Sequence, residues 1–309
     1  MIYTITLNPA LDKTVEIPRF TLDTVNRIAT VRTDPGGKGI NVSKVIAKLG
    51  GTSKAMGILA GTSGHAIADQ LTRRGLDCEF CFVDGETRTN LKIIDPERHT
   101  NTDINEPGIQ VTEGILNGLL WRLTNLIEPN DIVVLAGSLP AGAPKDTYRK
   151  WVAECRRKGA KVFLDADGEL LAEGIKAAPY LIKPNNDELS RLMGRTLETT
   201  QELHEAACDL LAEGIQMVVV SMGSRGALYV TRENSIYAEG LKVKVGSTVG
   251  AGDSVVAALA YAADRQLPLT DAVVLSTATG AANVMCSGTQ AAEYGVIETL
   301  MPRVKWHTL

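Results

Sequence analysis

The 309-residue chain is predicted to fold as an α/β protein with a largely parallel central sheet covered by helices on both faces. Three observations carry this. From Val111 onward, continuous apolar runs of strand length alternate with segments whose apolar residues recur at helical spacing, as parallel strands buried on both sides require. Polar, glycine-rich segments fall where those strands end: Gly137 and Ser138, Asp165, K-P-N-N-D-E and S-M-G-S-R-G. Ligands of parallel sheets bind at those carboxyl ends. Two earlier stretches alternate with strand period and no helical period, which puts them outside the main sheet.

In chain order, Ile2 to Leu7 is a first strand ended by Asn8 and Pro9, with Asp12 after a turn. Thr14 to Thr33 carries Val15, Ile17, Ile28 and Val31 in alternation with polar residues and suggests edge strands. Glycines 36, 37 and 39 lead into a helix in which Val42, Val45, Ile46 and Leu49 recur at i, i+3, i+4 and i+7. Asn41 lies in its first turn, facing whatever the glycine loop cradles. Residues 54 to 60 form a strand, Ile67 to Leu71 mark a helix ended by Gly75, and Thr89 to Asp95 alternate again after E-T-R-T-N. There follow a helix with Ile115, Leu119 and Leu123, the strand Ile132 to Ala136, and a helix with Tyr148, Trp151, Val152 and Cys155 on one face. The strands Lys161 to Asp165 and Tyr180 to Lys183, a helix over 201 to 213 and the strand Met217 to Ser221 complete the alternation.

Composition narrows the function. The 36 acidic and 32 basic residues give a net charge of −4, which speaks against nucleic acid or a membrane surface as partner. Any anionic ligand must then be held by local cations. Five cysteines, at 78, 81, 155, 208 and 286, lie scattered in apolar segments and look like reduced core thiols of a cytoplasmic protein. Cys78 and Cys81 form C-x-x-C, but a zinc site needs two further ligands and His99 supplies one at most. No apolar run approaches the ~18 residues of a membrane span, and Met1 leads directly into a strand rather than a signal peptide. A single large domain over 1–309 with a small appendage is expected.

The chemistry concentrates in Ser247 to Ala258, S-T-V-G-A-G-D-S-V-V-A-A. Gly250, Ala251 and Gly252 lack bulk, so the backbone can turn tightly and bring its N–H groups close to an anion. Asp253 then opens an alanine-rich buried helix, whose start carries unsatisfied donors and the positive end of the macrodipole. A carboxylate beside such a nest can take the proton of an attacking hydroxyl, or it can simply cap the helix. No G-x-x-x-x-G-K-[ST] loop is present and no G-x-G-x-x-G follows the first strand, which excludes a Walker-type NTPase and a dinucleotide-binding oxidoreductase.

G-A-G-D near the end, paired with P-G-G-K-G-I-N at Pro35 to Asn41, resembles the two signatures of the PfkB family of ribokinase-like carbohydrate kinases, in the same order and over essentially the whole chain. The resemblance implies a ribokinase-like fold whose two excursions, roughly 12–34 and 86–106, form a small β-sheet lid over the sugar. Such a sheet exposes edges and apolar side chains that need covering, so a homodimer built on the lids is expected. The resemblance also implies ATP and a sugar phosphate as ligands, with Asp253 as catalytic base on the Gly250, Ala251 and Gly252 nest. Asp12, Gly37, Lys38, Asn41 and Asn90 would bind the sugar. Arg88 and Ser138 would grip its phosphate, and Arg27 would reach a neighbouring subunit's site. Taken alone, Asp12 could be a solvated turn residue and Arg88 a solvated surface one. Asn185 and Glu188, as N-x-x-E, resemble the family's magnesium motif, with Asp165 a weaker candidate; the same spacing suits a helix cap with a first-turn acid. Ser221, Gly223 and Gly226 resemble the nucleotide loop or form a strand-to-strand turn, and Lys183, Ser247 and Asn283 are their companions around ATP. Magnesium with ATP, and a monovalent cation such as K⁺, are the implied cofactors. The implied reaction is ATP-dependent phosphorylation of a ketohexose phosphate, fructose 1-phosphate ahead of tagatose 6-phosphate or fructose 6-phosphate, on the strength of D-I-N-E-P-G at Asp103 to Gly108. A non-catalytic sugar-binding regulator is the alternative of a different class.

Overall fold

A computed structural model describes residues 1–309. Seven strands lie parallel at the centre: Ile2–Thr6 (β1), Ser53–Ala60 (β4), Asp77–Val83 (β5), Ile132–Ala136 (β8), Lys161–Asp165 (β9), Leu181–Ile182 (β10) and Met217–Ser221 (β11). Three antiparallel strands extend one edge: Gly226–Thr231 (β12), Ser235–Glu239 (β13) and Trp306–Thr308 (β14). The order is β14-β13-β12-β11-β10-β9-β8-β1-β4-β5. The chain leaves β1 in one direction and returns on its other side at β8, so the order reverses there. Ligands of open parallel sheets bind beyond the carboxyl ends at such a reversal.

Alternation within the strands shows why both faces must be covered. Val133 and Leu135 of β8 pack against Glu113–Leu126 (α3) and Thr147–Arg157 (α4), in a core that continues under Gly168–Ile175 (α5), Asn186–Met193 (α6) and Thr200–Ala212 (α7). Ile132, Val134 and Ala136 belong to the opposite core, with Lys38–Lys48 (α1), Ala251–Asp264 (α8), Leu269–Val284 (α9) and Tyr294–Leu300 (α10). Gly61–Arg73 (α2) covers Leu59 near the β5 edge with Ile67 and Leu71.

A separate four-stranded sheet stands beside the carboxyl end of β1: Thr30–Gly36 (β3), Ala10–Glu16 (β2), Thr89–Asp95 (β6) and Thr100–Asn105 (β7), in that order. Its small core is Val15, Ile17 and Ile93, backed by Phe20 and Leu91. It begins at Ala10, earlier than the sequence pattern suggests, and residues 17–29 contain no strand. Asp12 is therefore a buried strand residue, neither a turn residue nor a solvated one. The cysteines are all free, but only Cys155 is fully buried and Cys208 is exposed, so the expectation of uniformly core thiols is corrected. No helix is long and apolar enough to cross a membrane.

Candidate active site

Gly250 is the N-cap of α8 with φ at 79°, a left-handed conformation that glycine adopts without the strain of a side chain. Asp253 thus falls in the first turn, makes no capping hydrogen bond, and is only 7% exposed. The helix-cap alternative is overturned. Instead Asn41 Nδ2 donates to Asp253 Oδ2 at 2.8 Å, joining residues 212 positions apart. Burial, then the negative charge of Asp165, pushes the Asp253 carboxyl above its usual range, against the pull of Lys38, Asn41 and Lys183. A carboxylate so held is a stronger base than one in water.

Asp165, at the end of β9, is the electrostatic hub. Its Oδ1 lies 3.3 Å from Lys38 Nζ and 3.5 Å from Lys183 Nζ. Burial alone would push its carboxyl up, but Lys183 and Lys38 together hold it below the usual range. Asp165 chiefly raises Lys38 in turn, against burial, with help from Asp253 and Glu188. Both lysines approach the same oxygen, Oδ1, so Asp165 positions them while its Oδ2 stays without a partner. Lys183 also leans on the nest, since a Cβ at Gly252 would stand 3.0 Å from its Nζ.

On the other side of Asn41, Asn90 Nδ2 donates to Asp12 Oδ1 at 3.0 Å, because β2 and β6 pair in parallel with Asp12 opposite Asn90. Lys92, two residues along the same face of β6, reaches Asp12 Oδ2 at 3.8 Å. Lys92 was missed in the sequence, although its even spacing from Asn90 signals a shared face. Gly37 is the N-cap of α1, directly before Lys38. Four buried side-chain atoms in the molecule lack a hydrogen-bond partner, and three, Asn41 Oδ1, Asn90 Oδ1 and Asp165 Oδ2, belong to this cluster. Buried acceptors demand partners, and the hydroxyls of a polyol would supply them.

Arg88 is half-buried rather than solvated. It donates to the carbonyls of Asn8 at 3.0 Å, Glu106 at 3.1 Å and Pro9 at 3.4 Å, clipping the end of β1 to the strand that returns from the small sheet. Asn8 Nδ2 donates in turn to Ser138 Oγ at 3.2 Å. Arg88 and Ser138 are thus brought to one corner through Asn8, which the sequence reading used only as a strand terminator. Arg27, exposed on the 17–29 loop, makes no hydrogen bond or ion pair within the chain.

On the donor side, Asn185 caps α6 in a reciprocal box: its Oδ1 accepts from Glu188 N and Glu188 Oε2 accepts from Asn185 N, both at 2.8 Å. A bridge pairs Asn185 with Ser221, the last residue of β11, and Gly223–Arg225 forms a 3₁₀ turn into β12. Gly223 and Gly226 both have positive φ, at 58° and 110°. Ser247 Oγ accepts from Val249 N at 3.2 Å, and Asn283 Nδ2 would lie 3.4 Å from a Cβ on Gly250. No three acidic, histidine or cysteine groups gather as a metal cage. Glu188 keeps one carboxylate oxygen free of protein partners. This fits a divalent ion that arrives with a nucleotide and keeps much of its water.

A buried carboxyl held above its usual range at a glycine-rich helix start, with unpartnered amide oxygens on one flank and two lysines between, has the layout that phosphoryl transfer to an alcohol needs. The chain belongs to the pfkB family of carbohydrate kinases, whose family model matches residues 5–294. It is 37% identical over 305 residues to the 1-phosphofructokinase of Bacillus subtilis, covering 99% of both chains. It is 42% identical over 264 residues to that of Xanthomonas campestris, covering 84% of this chain and 83% of the other. Among solved structures it is similar to Escherichia coli phosphofructokinase-2, in complex with substrates and products (TM-score 0.94) and with potassium (TM-score 0.93). Both share 30% identity with it and cover 98% of each chain.

Proposed function

We propose that the chain transfers the γ-phosphoryl group of ATP, with magnesium, to a ketohexose phosphate, and that the preferred acceptor is fructose 1-phosphate, giving fructose 1,6-bisphosphate. The observation that carries the reading is the Asn41–Asp253 hydrogen bond, by which the acceptor-side glycine loop aims the base at the anion nest. Asp12, Asn41 and Asn90 hold the sugar hydroxyls, while its phosphate is received by the Arg88 guanidinium N–H groups that the backbone leaves free and by the Ser138 hydroxyl. As the acceptor oxygen attacks the γ-phosphorus, its proton passes to Asp253 and the bond to ADP breaks. The N–H groups of Gly250 to Gly252, with Lys38 and Lys183, gather the charge that develops. Asn185 and Glu188 hold the hydrated magnesium ion, which neutralises phosphate charge when bound. Ser221, Gly223, Gly226, Ser247 and Asn283 cradle the nucleotide.

The choice of fructose 1-phosphate is supported by the 1-phosphofructokinase relatives and by D-I-N-E-P-G on the return strand, where Glu106 O meets Arg88. A potassium ion near the nest is part of the proposal, on the likeness to the potassium complex described above. So are a cytoplasmic location and a homodimer joined through the small sheets, with Arg27 reaching the partner's acceptor. ADP formation measured over a panel of sugars and sugar phosphates tests the reading. The highest kcat/KM is expected with fructose 1-phosphate. Preference for tagatose 6-phosphate or fructose 6-phosphate overturns the acceptor, and no acceptor-dependent ADP overturns the kinase.

A further inference from the structure

Lys44 is a deeply buried lysine that the reaction above does not use. It lies on α1, 5% exposed, and no carboxylate pairs with it. Its Nζ donates instead to two carbonyls from distant parts of the chain, Pro35 at 3.0 Å and Thr289 at 2.8 Å. Burying an ammonium without a counter-ion is costly, and an apolar side chain would fill the space at less expense.

The two carbonyls explain what the charge holds together. Pro35 opens the acceptor-side glycine loop, and the next residue, Gly36, packs so closely on Asp12 that a Cβ there would stand 2.5 Å from its carboxylate. Thr289 lies in the loop that follows α9. Arg32 of β3 grips the same loop, donating to Ser287 O at 3.0 Å while its Nε donates to Asp34 at 2.7 Å. The loop is tied on its other side to the anion nest. Gly246 N and Ser247 N donate to Val284 O at 2.8 and 3.1 Å, and Asn283, whose amide lies against Gly250, accepts from Ala292 N at 3.3 Å.

We propose that Lys44 is a positioning residue for phosphoryl transfer: its ammonium fixes the acceptor-side glycine loop against the 287–292 loop that backs the anion nest, and so sets the separation between acceptor hydroxyl and γ-phosphate. The proposal rests on the phosphotransfer reading and adds a residue that touches neither substrate. Burial pushes the Lys44 ammonium down to about 8. The charged groups facing it are Asp34 on β3, Asp12 on β2 and Asp253 on α8, which favour the charge, and Arg74 beyond α2, which opposes it. As pH rises through that value the charge is lost, and a neutral amine donates more weakly than an ammonium.

The test is steady-state kinetics of the wild type, Lys44→Met and Lys44→Arg with ATP and the best acceptor across neutral and alkaline pH, with thermal melts alongside. In Lys44→Met, kcat is expected to fall about 10-fold at neutral pH while both KM values stay within about 3-fold, the pattern of misaligned but bound substrates. Lys44→Arg should keep kcat within about 3-fold and displace the alkaline fall in kcat upward, because a guanidinium does not titrate there. A folded Lys44→Met with wild-type kcat and pH profile overturns the proposal whatever its melting temperature. Should Lys44→Met not fold, the arginine variant decides: a displaced alkaline limb supports the role, and an unmoved one overturns it. Wild-type protein without acceptor-dependent turnover would overturn the phosphotransfer reading itself, an outcome distinct from an active wild type with indifferent variants.

Discussion

Asp165 sets the reactivity of a residue it does not touch. Its charge raises the Asp253 carboxyl, whereas the two lysines it binds lower it. Removing the Asp165 charge leaves Lys38 and Lys183 with Asp253 as their nearest buried anion, so both changes act downward. Asp165→Asn is therefore expected to move the acid limb of kcat/KM to lower pH and to weaken the base at neutral pH. A limb that stays in place would show that Asp253 titrates independently. Arg88 clips three backbone carbonyls, and in the proposed reaction its remaining donors receive the acceptor's phosphate. Arg88→Ala should raise the acceptor KM about 10- to 150-fold, the value of a charge-assisted hydrogen bond of roughly 1.5 to 3 kcal/mol, and should lower the melting temperature as well. A lower melting temperature with an unchanged acceptor KM would leave only the structural task.

Among the elements, α6 shows how a local rule serves a distant site. Its capping box fixes Glu188 by two backbone hydrogen bonds and leaves one carboxylate oxygen without a protein partner, so the ion of the proposed reaction would find it already ordered. Glu188→Gln is expected to raise the magnesium concentration needed for half-maximal rate, with the acceptor KM unmoved; a shifted acceptor KM and an unchanged magnesium titration would contradict this. Six of the seven parallel strands were legible as largely apolar runs; the seventh, β5 at the sheet edge, was not, because Asp77 and Glu79 interrupt it and none of its residues is buried. Alternation also exposed the small sheet, down to the strand that carries Asn90. The antiparallel β12, β13 and β14 were not predicted: β12 and β13 are short runs behind a glycine-rich turn, and β14, at the sheet edge, is wholly exposed and carries no apolar pattern. The strand over Tyr180 to Lys183 shortens to Leu181–Ile182, just before Pro184, which has no N–H to give the ladder. Of the site, both glycine signatures were readable in the sequence, but the clips made by Arg88, Arg32 and Lys44 were not. Each is a cation donating to carbonyls, and carbonyls leave no mark in a sequence.

At the scale of the whole molecule, the small sheet and the 17–29 loop that joins two of its strands leave large apolar side chains exposed. Leu22 and Val25 are 81% and 85% exposed, and Ile28, Val31 and Ile104 also face solvent. Apolar exposure on and beside a sheet with open edges favours pairing with a second copy. Sedimentation at micromolar concentration is expected to give a dimer, and the double substitution Leu22→Glu with Val25→Glu should shift it toward monomer. A fully active monomeric wild type would contradict the pairing. The main sheet and both of its helical layers are untouched by those substitutions, so the melting temperature of the large domain should change little.

The most direct measurement is kcat for Asp253→Asn, with ATP binding measured on the same preparation. The amide preserves shape and can keep company with Asn41, but it cannot take a proton from the acceptor hydroxyl. A folded variant that binds ATP normally and turns over about 10²- to 10⁴-fold more slowly is the predicted result. A folded variant with near-normal kcat would contradict the assignment of Asp253 as the base.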